Sequence, residues 1–370
     1  MKILAIDIGA GTEDVLLYDD EKTSIENCVK MVLPSPCKVF AAKVREATRQ
    51  CKDLFVRGDT IGGGPFSHAL QRHIEAGLRV YMTEDAAYTV RNNLDQVKER
   101  GIQIIQDTKP ENFQGETIVL EEVNIDKLRG FLKFFGEAFL DIDFVAIAVQ
   151  DHGVFPEKMS NRQFRINKIR ELLKNNPNPE AFAFKENEIP PHYPRMRSAV
   201  HASKRQLPNA RVMVMDTSPN AILGCLMDPT VENADPILAV NVGNGHTMAA
   251  IISNGKVTAV LEHHTRLLNP QKMEKLLRDF ADGKLGDEEV FDDNGHGMFY
   301  LKEPPGYSKI EKVIVTGPNR KILAKTGLSV HFATPASDVM MSGPIGLVEA
   351  TKRKFWLKPN LIPNPQKIIS

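Results

Sequence analysis

Residues 2–19 read KILAIDIGAGTEDVLLYD, and residues 237–252 read ILAVNVGNGHTMAAII. In the first stretch Ile3–Ile8 is an apolar run of strand length, Gly9-Ala10-Gly11-Thr12 is a turn, and Val15–Tyr18 returns as a second strand. The glycines admit positive φ and carry no Cβ, so backbone N–H groups can crowd toward an anion. Asp7 leaves the strand beside that turn, where a carboxylate can hold a hydrated Mg²⁺ or orient a water, and Thr12 can offer its hydroxyl to a phosphate oxygen. A tight hairpin whose Asp and Thr only satisfy turn backbone is the alternative. The second stretch repeats the pattern of strand, Gly-x-Gly turn and strand. Asn241, Gly243, Gly245 and Thr247 stand where Asp7, Gly9, Gly11 and Thr12 stood, with the hydroxyl displaced by one position. An internal repeat of this kind points to two copies of one structural unit.

The surrounding composition is that of a globular chain with room for two cores: 370 residues, 42% hydrophobic and 25% charged. Lys+Arg 47 against Asp+Glu 47 leaves no net charge, which argues against a broad nucleic-acid surface or an anionic membrane as partner. Cys28, Cys37, Cys51 and Cys225 form neither a Cys-x-x-Cys pair nor the tight triplet that holds an iron–sulfur cluster, and read as reduced structural thiols. No cleavable leader and no run of transmembrane length is visible, so a cytoplasmic protein is expected.

Several segments between and after the repeats carry chemistry. Thr23–Val32 reads as a strand region broken at Pro34-Ser35-Pro36, with extended chain over Lys38–Ala42 and a helix to Arg49. Leu54–Arg57 leads into Gly58-Asp59-Thr60-Ile61-Gly62-Gly63-Gly64-Pro65 and a helix, the layout that aims helix N–H groups at an anion. No Gly-Lys-Ser/Thr follows, so this is not a Walker loop; it either lets strand and helix pack closely or holds a carboxylate or phosphate. With the helix expected over Glu84–Arg100, strands and helices alternate around residues 54–110, which implies parallel pairing. Phe144–Val149 ends in Gln150-Asp151-His152-Gly153, and polar residues at a strand's carboxyl end make Asp151 a candidate general base, with helix capping as the alternative. Asp216 follows the strand Arg211–Met215 and either caps the next helix or reaches a ligand. Lys256–Leu261 ends in Glu262-His263-His264-Thr265; neighbouring histidines on a strand face opposite ways and do not easily share one metal. His296 sits in a polar glycine turn that either overlies a ligand or is plain surface. Thr316-Gly317-Pro318 follows a further strand, and Gly343 lies at the start of a final helix.

Two such hairpins, in this order, resemble the phosphate hairpins of the actin, Hsp70 and sugar-kinase superfamily. The resemblance implies an α/β fold of two actin-like (ribonuclease H-like) domains facing across a nucleotide cleft. The expected units are residues 1–235, with an extension around 54–110, residues 236–352, and a tail over 353–370. It implies ATP and Mg²⁺ as cofactors and a nucleotide, with an acceptor that is either a small molecule or a protein, as partners. Gly9, Gly11, Thr12, Asn241, Gly243, Gly245 and Thr247 would meet the phosphates, and Gly317 and Gly343 would complete the nucleotide site. Asp7, with Asp216, would hold the metal, and Asp151 and Asp7 would serve catalysis. Asn241 departs from the Asp usual in kinases of that superfamily, so a chain that binds nucleotide without turning it over stays open. So does a chain of this fold that binds another anion at Gly62–Gly64. More narrowly, AIDIGAGTEDVLLYD, AVQDHG, VMDTSPNAILG, VNVGNGHTMAA, LEHHT, FDDNGHG and VTGPNR look like a microbial family labelled as related to pyruvate formate-lyase activating enzyme. That label implies radical S-adenosylmethionine chemistry, which the cysteine pattern does not support.

Overall fold

In the computed structural model, which describes residues 1–355 apart from 138, 140, 157 and 158, the chain forms three sheets. Strands β1 (Lys2–Ile8), β2 (Thr12–Asp19) and β3 (Val29–Pro34) make an antiparallel meander. The chain then builds a separate parallel sheet from β4 (Leu54–Gly58), β5 (Val80–Met82), β6 (Ile102–Ile104) and β7 (Glu116–Leu120), in the order β6-β5-β4-β7. It returns to the first sheet with β8 (Phe144–Val149), β9 (Ala183–Lys185) and β10 (Arg211–Met215), closing the order β3-β2-β1-β8-β10-β9. The remaining strands are β11 (Ile237–Val242), β12 (His246–Ser253), β13 (Lys256–His264), β14 (Gly297–Tyr300), β15 (Lys312–Thr316) and β16 (Val330–Phe332). They form a second six-stranded sheet in the order β14-β13-β12-β11-β15-β16. In both large sheets a hairpin meander continues into strands parallel to the first, β8 and β10 in one and β15 and β16 in the other.

Strand alternation decides what each sheet offers the middle of the molecule. On β1, Ile3 and Ala5 pack into a central core while Leu4, Ile6 and Ile8 pack on the outer side. On β11, Ile237 and Ala239 face that same central core and Leu238, Val240 and Val242 face outward. Asp7 and Asn241 continue the two inward rows, one step beyond the last apolar residue.

The central core is filled by two helices, Thr217–Cys225 and Ser342–Phe355, which follow β10 and the last strand. They cross at glycine. A Cβ on Gly224 would lie 1.6 Å from the Ser342 carbonyl oxygen, and one on Gly346 would lie 2.2 Å from that of Asn220. Gly224→Val is therefore expected to force the crossing apart and destabilise the chain by about 1–3 kcal/mol or more, read as a lower denaturant midpoint; an unchanged midpoint would contradict the tight crossing.

Local expectations fail where proline and asparagine act as caps. Pro36 starts a helix, Pro36–Arg49, because at the first helical position its missing N–H costs nothing, so Lys38–Ala42 is helical and not extended. The helix expected over Glu84–Arg100 is two short ones, Glu84–Ala87 and Leu94–Glu99, the second capped by the Asn93 side chain. The final helix runs to Phe355, beyond the expected tail boundary at 353, and the rest of that tail lies outside the described residues. Among the described residues no helix is long and apolar enough to cross a membrane.

Candidate functional site

The two Gly-x-Gly turns meet at one cavity of 980 Å³. Each turn is closed by the same hydrogen bond: Gly9 N–H donates to the Thr12 carbonyl at 2.9 Å and Gly243 N–H to that of His246 at 2.9 Å. Thr12 is therefore matched in space by His246, not by Thr247. The cavity is lined by Asp7, Gly9, Thr12 and Asp14 from the first hairpin, and by Asn241, Gly243, Gly245 and His246 from the second. Gly317 and Gly343 also line it. Gly317 has φ +96, and a Cβ there would meet the Val242 carbonyl oxygen at 2.4 Å, so this turn needs glycine. At Gly343 a Cβ would come 1.8 Å from Oδ2 of Asp7, so the helix start is pressed against the carboxylate.

Asp7 is buried, and its Oδ1 accepts a hydrogen bond from the Thr217 hydroxyl at 2.5 Å. Directly across the β1–β2 ladder stands Asp14, one of whose oxygens is buried without a hydrogen-bond partner among the described residues. Burial pushes Asp7 up to about 7, and burial together with the neighbouring Asp7 charge pushes Asp14 up to about 8. Between about pH 4 and pH 8 the folded chain thus holds protons that the unfolded chain has released, and stability falls as pH rises through that window. Asp14→Asn should remove part of this slope. The variant is expected to be more stable than the parent at pH 8 by about 1 kcal/mol or more, with the gap shrinking as the pH is lowered toward 5. Denaturant titrations at the two pH values measure it, and a gap independent of pH would refute it.

Three of the expected site residues are engaged elsewhere. Thr247 is fully buried, its hydroxyl 3.0 Å from that of Thr265, because alternation along β12 turns it outward while His246 and Met248 turn inward. Asp216, expected at the metal, lies outside the cavity lining. Its oxygens accept from Arg165 Nη1 and Nη2 at 2.6 and 3.0 Å, and it caps the helix Thr217–Cys225 through Ser218 N–H. Gly11 is also absent from the lining, since its Cα is packed against the Asn244 side chain of the other hairpin. Asp151 does line the cavity, but its carboxylate accepts the N–H groups of Gly153, Arg195 and Met196, so it caps the helix Pro194–Gln206. The loop Gly62–Gly64 lines the cavity as well. It is tied down by Gly62 N–H donating to Glu122, which also pairs with the Arg195 guanidinium.

Histidines from four separate segments, among them the buried His296, gather at the second hairpin. His246 packs its ring against His152, His264 and His296, with centroids 5.5, 5.0 and 4.7 Å away. Alternation on β13 turns Glu262 and His264 inward and His263 outward, where it meets Asp293 at 3.0 Å. Burial lowers His246 to about 4 and holds His152, His264 and His296 below the usual imidazole range, so the cluster is uncharged near neutrality. Beneath it Arg165 is clamped between Asp216 and Glu262, with Nε to Glu262 at 2.7 Å.

Two sheets of matching hairpin-first topology, a shared cavity at their glycine turns and a pair of helices crossing between them define a two-domain actin-like fold. The chain belongs to the family described as "Putative pyruvate format-lyase activating enzyme (DUF1786)", whose sequence model matches residues 61–322. The four cysteines are free. No curated protein matches the chain. Among solved structures it is similar to a ROK hexokinase from Thermus thermophilus, at 11% identity over 70% of this chain and 47% of that one, with TM-score 0.24. It is similar to acetate kinase from Entamoeba histolytica at 12% identity over 70% and 55%, TM-score 0.26. To a PilM–PilN type IV pilus biogenesis complex it is similar at 11% identity over 95% and 98%, TM-score 0.40. The chain thus spans about half the length of the hexokinase and of the acetate kinase.

Proposed function

We propose that the chain binds ATP with Mg²⁺ between its two glycine turns and hydrolyses it or transfers its γ-phosphoryl group to an acceptor. The observation that carries this reading is the convergence of Asp7, Gly9, Thr12, Asn241, Gly243 and Gly245 on one cavity. Phosphoryl transfer asks a protein for positioning and charge neutralisation more than for covalent chemistry, and turns of this kind supply backbone donors to phosphate.

The donor set fits a hydrated divalent cation. Asp7 and Asp14 face each other across the ladder, and the unpartnered buried oxygen of Asp14 is the sort of atom such a cation satisfies. Mg²⁺ held there supplies neutralisation of the phosphate oxygens. Thr217 fixes the orientation of Asp7, and Gly343 leaves the space for its carboxylate. Asp151 acts by building the wall: its three backbone hydrogen bonds set the start of the helix that carries Arg195. The cavity is also lined by Arg91, Arg100, His68 and Gln71, and neither arginine has a carboxylate partner among the described residues. An acceptor carrying an anionic group suits such a lining.

A second reading, binding without turnover, is favoured by Asn241, which brings no charge to the second turn. Isothermal titration with MgATP followed by a phosphate-release assay, with and without small carboxylate or phosphate acceptors, separates the two. Binding with release or transfer supports the first, binding with intact nucleotide supports the second, and no heat with either ATP or ADP refutes both.

A further inference from the structure

His152, His246 and His296 come from three distant points: the loop after β8, the first residue of β12, and the turn before β14. Each offers one ring nitrogen, and the three nitrogens lie within 4.8 Å of one another. His296 is 1% exposed, and neither of its ring nitrogens has a hydrogen-bond partner among the described residues. A buried imidazole with both nitrogens unsatisfied is costly unless something else binds it. His152 and His246 line the cavity, so the group has a side open to it.

We propose that His152, His246 and His296 form a binding site for a transition-metal cation of the zinc class, set in the cavity wall beside the second glycine turn. Three imidazole nitrogens with a fourth position left open is a ligand set that zinc takes, and imidazole suits zinc better than it suits Mg²⁺ or Ca²⁺. At a metal–nitrogen distance of about 2.0–2.1 Å, tetrahedral ligands stand about 3.4 Å apart, so the rings close in by about 1 Å or a little more. Two of the three residues, His152 and His246, are only partly buried, which leaves their rings room to turn. The charge beneath the rings is partly compensated: Arg165, one positive group, is held between two carboxylates, Asp216 and Glu262. His264, whose ring lies 4.8 Å from that of His296, flanks the group on the remaining side. The open position faces the same cavity as Asp7, where it can take a water or an anionic oxygen of a bound molecule.

The site stands independently of the nucleotide reading, and its test uses no nucleotide. The full chain, freed of any histidine tag and treated with a chelator, is titrated with Co²⁺ alone and then with Zn²⁺. The expected result is a set of visible absorption bands of four-coordinate Co²⁺ that saturates at about one equivalent and is displaced by Zn²⁺. His296→Gln and His246→Gln should each weaken Zn²⁺ binding by more than about 10-fold, and His201→Gln, an exposed site on the helix Pro194–Gln206, should leave it unchanged. Circular dichroism establishes that each variant is folded, and if His296→Gln is not, the partly exposed His246 decides. Absence of the bands, or binding that survives in the folded variants, overturns the proposal.

Discussion

Asp7→Asn is expected to reduce ATP turnover by roughly 10²-fold or more while leaving the chain folded and still able to bind nucleotide. The substitution keeps the size of the side chain and the hydrogen bond from Thr217, so the close approach of Gly343 is preserved. What it removes is the inward-facing anion at the first turn, making that turn chemically like the second, where Asn241 already stands. Burial raises Asp7 to about 7 in the metal-free chain, so near neutrality Mg²⁺ must displace a proton there, and parent turnover at limiting Mg²⁺ should rise with pH through that range. The variant should lack this rise. Phosphate release measured from pH 6 to pH 9 on both chains tests it; equal rates, or a pH rise that persists in the variant, would remove Asp7 from the mechanism.

Arg165→Met is expected to destabilise the fold by about 3–5 kcal/mol, because it leaves two buried carboxylates without their counter-charge. The guanidinium reaches Asp216 at the end of β10 and Glu262 on β13, so one side chain, itself 3% exposed, ties the two large sheets together. In the parent, Arg165 holds Glu262 below the usual carboxylate range despite its burial. Without it, burial outweighs the remaining influences and the carboxyl rises, so the folded variant takes up protons that the unfolded chain does not and its deficit grows with pH. Denaturant midpoints at pH 6 and pH 8 measure both effects. Adding Asp216→Asn and Glu262→Gln should recover part of the loss, and a single variant as stable as the parent would show that the triad contributes nothing to the fold.

The division into two related sheets was legible because it rests on local pattern. Apolar strands around Gly-x-Gly turns mark both hairpins, and period-two alternation sends Asp7 and Asn241 inward. The same rule, applied to β12, would have exchanged Thr247 for His246 as the residue facing the cavity; matching the two turns residue by residue, and not by hydroxyl chemistry, was the signal available. Asp216 and Asp151 stand at strand ends as read, with capping one of their two roles, but nothing near them in the chain announces that Arg165 and the N–H groups of Arg195 and Met196 claim them. Those partners lie up to 51 residues away in the chain. The histidine group was less legible still. His152, His246, His264 and His296 belong to four separate segments, and only the closing of the second sheet onto the end of β8 brings them together.

The repeat that generates the cleft is exact in backbone at its two closing hydrogen bonds and unequal in its side chains. One wall presents a pair of carboxyls, the other an amide and neutral imidazoles, so the gap between the hairpins carries an electrical direction. A molecule spanning the gap with a positive and a negative end therefore has one preferred polarity, even though the frame that holds it was drawn twice from the same plan.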